Sequence, residues 1–482
     1  MSLLENIKKE QNYTRTENDA LALDSTRDAL TDLFGISGAM RERSEDEIRM
    51  FFARAMAEDN LLATKLVFYT RDVRRGLGER RSGRIMFRYL AENYPDIFKK
   101  NLEFIPDYGR WDDLIDLLDY APEPIMEMIA KQLMEDIENC RAGKPISLMA
   151  KWLPSINTSN KETVKKGRFV AARLGLSEKE YRKTLSALRR YLKVVEVDMA
   201  AKHFGDIDYS TVPSKAMNNY RRAFMRNDEE RFSQYLEKVS RGEAKINASV
   251  LYPYDITFKY LYGNTGEDRV LEEQWKALPD YVEGENRFLI MADVSGSMSG
   301  RPMATSVGLA LYFAERNKGT FANTFMTFSA KPELVTIQGN NLFEKINSIR
   351  NSAWDMNTDL EAAFNLILYT AAKYHTPKEE MPTSLIIISD MEIDRCISKD
   401  WLFYDVMKEK FEANGYEIPN IVFWNVNSRN NVYHVSSDRK GVQLASGQSP
   451  VVFESLVKGI SLSPYEYMLT VLNTERYERI TV

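Results

Sequence analysis

Histidine and cysteine are scarce in this chain of 482 residues, which contains three His and two Cys. The two cysteines, Cys140 and Cys396, lie far apart in the sequence and lack the short spacing of a zinc site. We therefore expect neither a disulfide framework nor a structural zinc ion. The histidines are scattered, and Ser295 lies in DVSGS rather than in the GxSxG turn of many hydrolases. The sequence thus predicts a protein that is not an enzyme.

Long hydrophobic runs are also missing. No apolar stretch reaches the ~20 residues that a membrane-spanning helix needs. The first residues, MSLLENIKKEQNY, lack the apolar centre of a signal peptide. Together with the low cysteine content, these absences predict a soluble cytoplasmic protein without a membrane partner, and we expect it to be a monomer.

The sequence changes character near residue 285. Before that point, apolar residues recur at helical spacing and strand signals are few; after it, apolar strands alternate with helices. The predicted fold class is a multidomain protein with an N-terminal all-α helical-repeat array and a C-terminal doubly wound, mostly parallel α/β domain. We expect an N-terminal helical segment over 1–55, either separate from or part of a helical-repeat domain over 56–284, and the α/β domain over 285–482. Residues 254–286 are predicted to be a connector.

Individual elements follow from the same patterns. Helices are expected around residues 63–67, 85–90, 125–133, 181–194 and 216–224 of the first region. In the second region we expect strands at 287–293, 321–328, 333–337, 384–390, 420–426 and 441–445. Helices are expected there near 302–317, 341–350, 358–374, 400–413, 451–459 and 464–473. The strand at 333–337 suits an antiparallel edge of the sheet.

Oxygen-bearing side chains follow two of the predicted strands. Asp293, Ser295 and Ser297 follow the apolar run FLIMA, Asp390 ends the run SLIIIS, and Thr358 precedes a helix. The carboxyl edge of a parallel sheet is where ligands bind, and oxygen ligands without His or Cys suit a hard cation. We expect Mg²⁺ there, or another divalent cation such as Mn²⁺ or Ca²⁺. The alternative is that these residues are ordinary turn formers.

Three further acidic residues, Asp359, Glu392 and Asp394, lie close to this set in sequence. Each could hydrogen-bond to a cation ligand and orient it without touching the cation. For Asp359, capping of the following helix is the simpler interpretation. For Glu392 and Asp394, the simpler interpretation is a charge exposed to solvent in a loop.

Positive charge is concentrated in two helical stretches, although the net charge of the chain is −5. Residues 151–226 contain 17 Lys and Arg against 7 Asp and Glu, and residues 60–90 contain 8 against 2. Aromatic residues are interleaved with these cations. Cations bind phosphates and aromatic rings stack on unpaired bases, so the pattern favours RNA as a partner. The alternative is that the aromatic residues are core and the cations are a solvated helix face.

Several blocks of the chain resemble a large uncharacterised family that is related to the TROVE module of the Ro autoantigen. In the helical half these blocks are YTRDVRRGLGER (69–80), IPDYGRWDDLIDLL (105–118), SLMAKWLPS (147–155), LSEKEYRKTLSALRRYLKVVE (176–196) and YSTVPSKAM (209–217). In the α/β half they are DVSGSMSGRPM (293–303), WDMNTDLEAAFNLIL (354–368), LIIISDMEID (385–394) and PNIVFWNVNSR (419–429). The second group resembles a von Willebrand factor A (vWA) domain with a metal-ion-dependent adhesion site.

The resemblance implies a basic helical ring, closed by the vWA-like domain, that holds small noncoding or misfolded RNA with single-stranded ends. It implies that Ser295 and Ser297 bind the metal directly, that Thr358 binds it directly or through water, and that Asp293 and Asp390 hold waters. The RNA-contact candidates carried over are Arg71, Arg74, Arg75, Arg80, Lys151, Arg182, Lys183, Arg189 and Arg190. A second hypothesis is a protein-interaction module whose metal captures an exposed Asp or Glu of a partner protein.

Overall fold

A β-hairpin lies near the beginning of the chain, between residues 13 and 23. In this computed structural model the described residues are Leu3, Ile7, 11–282, 287–327, 331–350, 358–395 and 401–482. Strand β1 (Tyr13–Arg15) pairs antiparallel with β2 (Leu21–Leu23). We expected residues 1–55 to be helical, and that expectation was wrong for this hairpin, because backbone pairing with a distant part of the chain holds its strands.

Helices build the rest of the chain up to residue 276. They are α1 (Ala29–Ile36), α2 (Glu45–Glu58), α3 (Asn60–Arg71), α4 (Arg80–Asn93), α5 (Pro95–Asn101), α6 (Ile105–Tyr108), α7 (Trp111–Asp116), α8 (Pro122–Arg141), α9 (Met149–Trp152), α10 (Lys161–Arg173), α11 (Glu178–Tyr191), α12 (Val195–Ala200), α13 (Ser214–Asn227), α14 (Glu229–Ser240), α15 (Pro253–Tyr262) and α16 (Arg269–Lys276). The five helices predicted in this region are confirmed in α3, α4, α8, α11 and α13, except that α11 ends at Tyr191, three residues before the predicted end at 194.

Local sequence signals explain where α11 begins and which face it buries. Ser177 and Glu180 form a capping box, in which each side chain accepts a hydrogen bond from the other residue's backbone N–H. Tyr181, Leu185 and Leu188 follow at helical spacing and are buried. The basic side chains between them therefore face outward.

Two apolar cores stabilise the chain. The larger core runs without a break from the helical half into the α/β half. The smaller core lies between Val195 and Val270 and is built mainly by α13 and α14. Its largest members are aromatic: Tyr209, Phe224, Phe232 and Tyr235.

The α/β half contains a six-stranded sheet. Its strands are β3 (Phe288–Ala292), β4 (Thr324–Thr327), β5 (Leu334–Thr336), β6 (Ser384–Ser389), β7 (Asn420–Asn425) and β8 (Val442–Ser446), in the order β5-β4-β3-β6-β7-β8. All neighbours are parallel except β4 and β5. The described structure confirms the six predicted strands, apart from residue 328 of the second, which lies outside the described residues. It also confirms the antiparallel edge at β5.

The predicted helices of this half are confirmed as well, apart from residue 400 of the fourth, which lies outside the described residues. They are α17 (Arg301–Arg316), α18 (Leu342–Arg350), α19 (Leu360–Tyr374), α20 (Phe403–Ala413), α21 (Val452–Lys458) and α22 (Pro464–Leu472), followed by a short helix, α23 (Glu475–Glu478). Strands β3 and β6 are built of consecutive apolar residues because helices cover both faces of a parallel sheet.

The segment predicted to be a connector, 254–286, contains α16 and most of α15. Its first helix, α15, packs closely against α17. Gly308 of α17 makes this possible, since a Cβ there would lie 2.9 Å from Thr257 Oγ1 and 3.1 Å from Tyr254 N. Thr257 also donates a hydrogen bond of 2.7 Å to the carbonyl oxygen of Ala304. The segment thus joins the two halves by direct packing.

Both ends of the chain contact the other half. Leu23 of β2 exchanges backbone hydrogen bonds with Tyr433 at 2.8 and 2.9 Å. Near the C-terminus, Arg476 forms a bidentate ion pair with the buried Asp72, and Asn101 binds the backbone of Thr481. Among the described helices, none is long and apolar enough to cross a lipid bilayer.

Candidate metal centre and basic surfaces

The residues of the predicted metal site lie at the carboxyl edge of the sheet. Strands β3 and β6 are parallel neighbours in the register Ala292 to Ile388, so the residues that follow them leave the sheet side by side. Asp293 follows β3 directly and Asp390 follows β6 directly. Ser295 comes next, before a single 3₁₀ turn over Gly296–Met298. The sheet therefore brings together two sequence segments almost a hundred residues apart.

Asp293 is buried and held by hydrogen bonds on both oxygens. Its Oδ1 accepts from the backbone N–H of Ser295 at 2.9 Å, and its Oδ2 accepts from Ser389 Oγ at 2.7 Å. Burial raises the pKa of Asp293 to about 6, and the negative charge of Asp390 adds to that effect. A positive charge placed between the two carboxylates would relieve this repulsion.

The two serines point their hydroxyls at one another. Ser295 Oγ and Ser297 Oγ are 3.0 Å apart, a separation that allows both to contact one small cation. Ser295 is buried whereas Ser297 is exposed. The site therefore has a solvent-facing side, at Ser297.

Thr358 lies at the same edge but its hydroxyl faces a different set of partners. Its Oγ1 donates to Asp394 Oδ1 at 2.8 Å and accepts from Asn18 Nδ2 at 2.9 Å. Asp359 caps α19 through the N–H of Ala362 at 2.8 Å, as the capping interpretation predicts. The expectation that Asp394 is a solvated loop charge was wrong, because it holds the Thr358 hydroxyl.

Glu392 also differs from its predicted role. It is buried, and its carboxylate accepts hydrogen bonds from the backbone N–H of Glu17 at 2.7 Å and from Asn430 Nδ2 at 3.0 Å. Burial raises its pKa. Its carboxylate therefore accepts hydrogen bonds that join neighbouring segments next to the site.

Asp390 is paired with a cation that the sequence analysis missed. Arg429 Nη2 lies 2.9 Å from Asp390 Oδ2 and 3.1 Å from Glu17 Oε2. Arg429 and Asn18 contact the site from segments far away in sequence. Arg429 ends the block PNIVFWNVNSR, but nothing in that block points to the metal site, so only the tertiary structure places Arg429 and Asn18 there.

The donor set fits a hard divalent cation. It combines two converging hydroxyls, a third hydroxyl at Thr358, and two buried carboxylates whose outer hydrogen bonds are already made. No cluster of three or more His, Cys, Asp or Glu suited to a metal occurs in the part of the chain that the structure describes. Any cation here would therefore depend on the hydroxyls, which suit Mg²⁺ better than zinc.

The candidate RNA contacts do not form one surface. Arg71 is buried and forms an ion pair with Asp113, so the expectation of a surface position was wrong for this residue. Arg189 is half-buried and donates to Ala150 O, Leu153 O and Ser155 Oγ, each at 2.8 Å. The guanidiniums of Arg71 and Arg189 therefore bind groups within the helical half.

Four other candidates are accessible but engaged with neighbouring groups. Arg74 donates to the carbonyl oxygen of Asp107. Arg75 pairs with Glu454 of the α/β half at 3.1 Å, and Arg80 pairs with Asp112 at 2.5 Å. The fourth, Lys151, lies 4.0 Å from Glu196. An exposed ion pair such as that between Arg75 and Glu454 contributes little to stability, so Arg75 remains available to an anion.

The remaining three candidates come together. Arg182, Lys183 and Arg190 are exposed on α11 and line a groove of about 480 Å³ between this helix and residues 155–157. Lys179, also exposed, lines the same groove and was not predicted. Of the aromatic residues interleaved with the cations, Tyr69, Phe87, Tyr181 and Phe224 are buried in the core, whereas Tyr191 is exposed.

The fold and the site together define a class: a helical-repeat protein joined to a vWA-like α/β domain. Residues 16–124 and 123–287 match the family described as Domain of unknown function (DUF2828), which spans more than half of the chain. The chain belongs to this family. Residues 288–475 match a second family, described as Domain of unknown function (DUF7788).

Two similar proteins extend this result. Uncharacterized protein L728 of Acanthamoeba polyphaga mimivirus is 28% identical over 502 residues, which cover 96% of this chain and 87% of that protein. The crystal structure of the Deinococcus radiodurans RO (RSR) protein matches 90% of this chain and 100% of its own, with a TM-score of 0.50 and 15% identity. This second likeness shows a Ro-like fold, and so confirms the predicted architecture.

Proposed function

We propose that this protein is a Ro-like RNA-binding scaffold, in which the basic helical half holds small noncoding or misfolded RNA and the vWA-like half binds Mg²⁺. The observation that carries the proposal is the groove beside α11. Arg182, Lys183 and Arg190 project into it with Lys179, and no acidic residue lines it. Such a groove suits the phosphate backbone of a strand.

The test is RNA binding by the full chain, measured as fluorescence anisotropy of a labelled RNA with a single-stranded end at several salt concentrations. The informative variant carries Arg182→Ala, Lys183→Ala and Arg190→Ala together. Log affinity falls as log salt concentration rises, and each lost phosphate contact makes this slope less steep by about one. The slope of the triple variant should therefore be less steep than that of the wild type by up to about three. Arg189 is left unchanged because its hydrogen bonds hold the groove together.

A matched control removes three exposed lysines from the α/β half: Lys318, Lys373 and Lys378. It changes the net charge by the same amount but leaves the groove intact. Equal affinity of the two triple variants for RNA would refute the groove as the RNA site. Nucleic acid that copurifies with the wild-type chain and is lost from the groove variant would support it.

The proposal includes three further points. The protein has no catalytic activity of its own: His434, for example, is buried with its Nε2 against the carbonyl oxygen of Met391. It acts in the cytoplasm, where the low cysteine content is no disadvantage. It acts as a monomer.

A second function rests on the metal site. With Ser297 exposed, a cation held by Ser295 and Ser297 could accept a carboxylate from an Asp or Glu of a partner protein. A protein partner that is released by a chelator or by Ser295→Ala, and that is unaffected by nuclease, would support this function over RNA binding. Release by nuclease would favour the RNA scaffold.

A further inference from the structure

The turn between β1 and β2, residues 16–19, lies against the metal site. Thr16 Oγ1 donates to the carbonyl oxygen of Ile393 at 2.8 Å, and the N–H of Glu17 donates to Glu392 Oε2 at 2.7 Å. Arg395 donates its N–H to the carbonyl oxygen of Asn18 at 3.2 Å. The turn is thus docked on the segment that follows Asp390.

Asn18 of this turn contacts Thr358, one of the predicted metal ligands. Its Nδ2 donates to Thr358 Oγ1 at 2.9 Å and to the carbonyl oxygen of Glu392 at 2.7 Å. The Thr358 hydroxyl gives its proton to Asp394, so it meets Asn18 with a lone pair. A metal ligand offers a lone pair to a cation. The amide of Asn18 therefore takes one lone pair of an oxygen that the site would offer to the metal.

Arg429 places a positive charge between the turn and the metal site. Its guanidinium bridges the buried Asp390 at 2.9 Å and Glu17 of the turn at 3.1 Å. Its buried Nε has no hydrogen-bond partner among the described residues. The guanidinium is therefore held by the charge of its two carboxylates and not by a full set of hydrogen bonds, so a competing cation can weaken its hold.

We propose that residues 16–19 and Arg429 form a clasp that stands in for the divalent cation, and that binding of the cation to Ser295, Ser297 and Thr358 opens it. The inference rests on the proposed metal site. A divalent charge repels the guanidinium of Arg429 and competes with the Asn18 amide for Thr358. Once Arg429 withdraws, Glu17 loses its ion pair and the N-terminal turn is released.

The test is Mg²⁺ binding by the full chain, measured by isothermal titration calorimetry. Arg429→Gln and Asn18→Leu each remove one arm of the clasp. Removing a charge or a donor next to the cation should tighten Mg²⁺ binding about tenfold. In the wild-type chain, Mg²⁺ should also speed hydrogen exchange in residues 12–24, because the turn loses its partners.

Matched controls separate the clasp from general effects. Arg439→Gln removes the same charge from the same half, where Arg439 pairs with Asp405 at 2.6 Å. Asn414→Leu replaces an exposed Asn that donates only to the backbone of Lys410. Both controls should bind Mg²⁺ with wild-type affinity.

The outcomes distinguish the clasp from the site itself. If Mg²⁺ binds the wild-type chain and is lost in Ser295→Ala, the metal site stands. Equal affinity of the clasp variants and wild type, or unchanged hydrogen exchange in 12–24 on Mg²⁺ binding, then refutes the clasp. If no variant binds Mg²⁺, the metal site fails and the clasp fails with it.

Discussion

Arg71 and Asp113 form an ion pair inside the helical half, with Arg71 Nη2 2.8 Å from Asp113 Oδ2 and side-chain exposures of 2% and 0%. Arg84 pairs with the other oxygen of Asp113 at 2.7 Å. Burial alone would raise the pKa of Asp113, but the two guanidiniums outweigh it and the pKa is lowered. A residue that suggests RNA binding in the sequence thus joins α3 to α7.

Arg71→Met should destabilise the protein. It leaves the Asp113 carboxylate buried without one of its two guanidinium partners, which costs about 3 kcal/mol of unfolding free energy. Urea denaturation of the full chain followed by circular dichroism measures the loss. The control is Arg75→Met, where an exposed pair is lost and the cost is below about 1 kcal/mol. Equal stability of the two variants would contradict the structural role of Arg71.

Asp32 should make stability depend on pH. Burial raises its pKa to about 6, despite hydrogen bonds from Ser25 and Thr26. Between the unfolded value of 3.8 and about 6 the folded state holds a proton that the unfolded state has released, so the contribution of Asp32 to stability falls as the pH rises. The total change is up to about 3 kcal/mol.

Urea denaturation at intervals from pH 4 to 7 tests this prediction with Asp32→Asn. The amide of the variant does not titrate, so relative to the variant the wild type should lose stability as the pH rises from 4 to 7. If the stability of the wild type relative to the variant grew as the pH rose, the predicted direction of the pH dependence would be wrong.

Gly308→Ala should weaken the contact between α15 and α17. Inside a helix Ala is normally favoured over Gly by about 1 kcal/mol, but the added Cβ would lie 2.9 Å from Thr257 Oγ1 and 3.1 Å from backbone atoms of Pro253 and Tyr254. Overpacking of this kind costs about 1–3 kcal/mol. Thermal unfolding measures the loss. Gly266→Ala is the control, since a Cβ at Gly266 meets open space. A higher melting temperature for Gly308→Ala would contradict the close approach.

Magnesium should stabilise the folded chain. A ligand that binds only the folded state at a concentration a hundred times its Kd adds about 2.7 kcal/mol. We expect the melting temperature of wild type to rise with Mg²⁺ and that of Ser295→Ala to stay constant. Ser299→Ala, an exposed serine in the same loop but outside the predicted set, should behave like wild type. An equal rise in Ser295→Ala would place the cation elsewhere.

Much of the α/β half could be predicted because its signals are local. Apolar runs such as those in FLIMA and SLIIIS are typical of strands that helices cover on both faces, and the antiparallel edge β5 is short and less buried. The site residues that end these strands, Asp293 and Asp390, follow from the same pattern. The two residues lie close together because β3 and β6 are parallel neighbours in the sheet.

The connector and the N-terminal hairpin were harder to predict. Helix α16 has local signals, with Asp268 as its N-cap and Val270, Leu271 and Trp275 buried at helical spacing, whereas α15 is stabilised by its contact with α17. The hairpin strands are three residues long, and β2 depends on backbone bonds to Tyr433. In both cases a distant partner supplies the stabilising contacts.

The sequence by itself determined the two-part architecture, the order and type of most elements, and the edge of the sheet at which hydroxyls and carboxylates collect. These depend on residues near one another in the chain. Only the tertiary structure decided which cations are exposed in the groove and which are held inside the protein. Arg71 and Arg189 are drawn into the protein, while Arg182, Lys183 and Arg190 line a groove. It also brought Asn18 and Arg429 to the metal site, because ion pairs and side-chain hydrogen bonds join groups by distance in space and not by position in sequence.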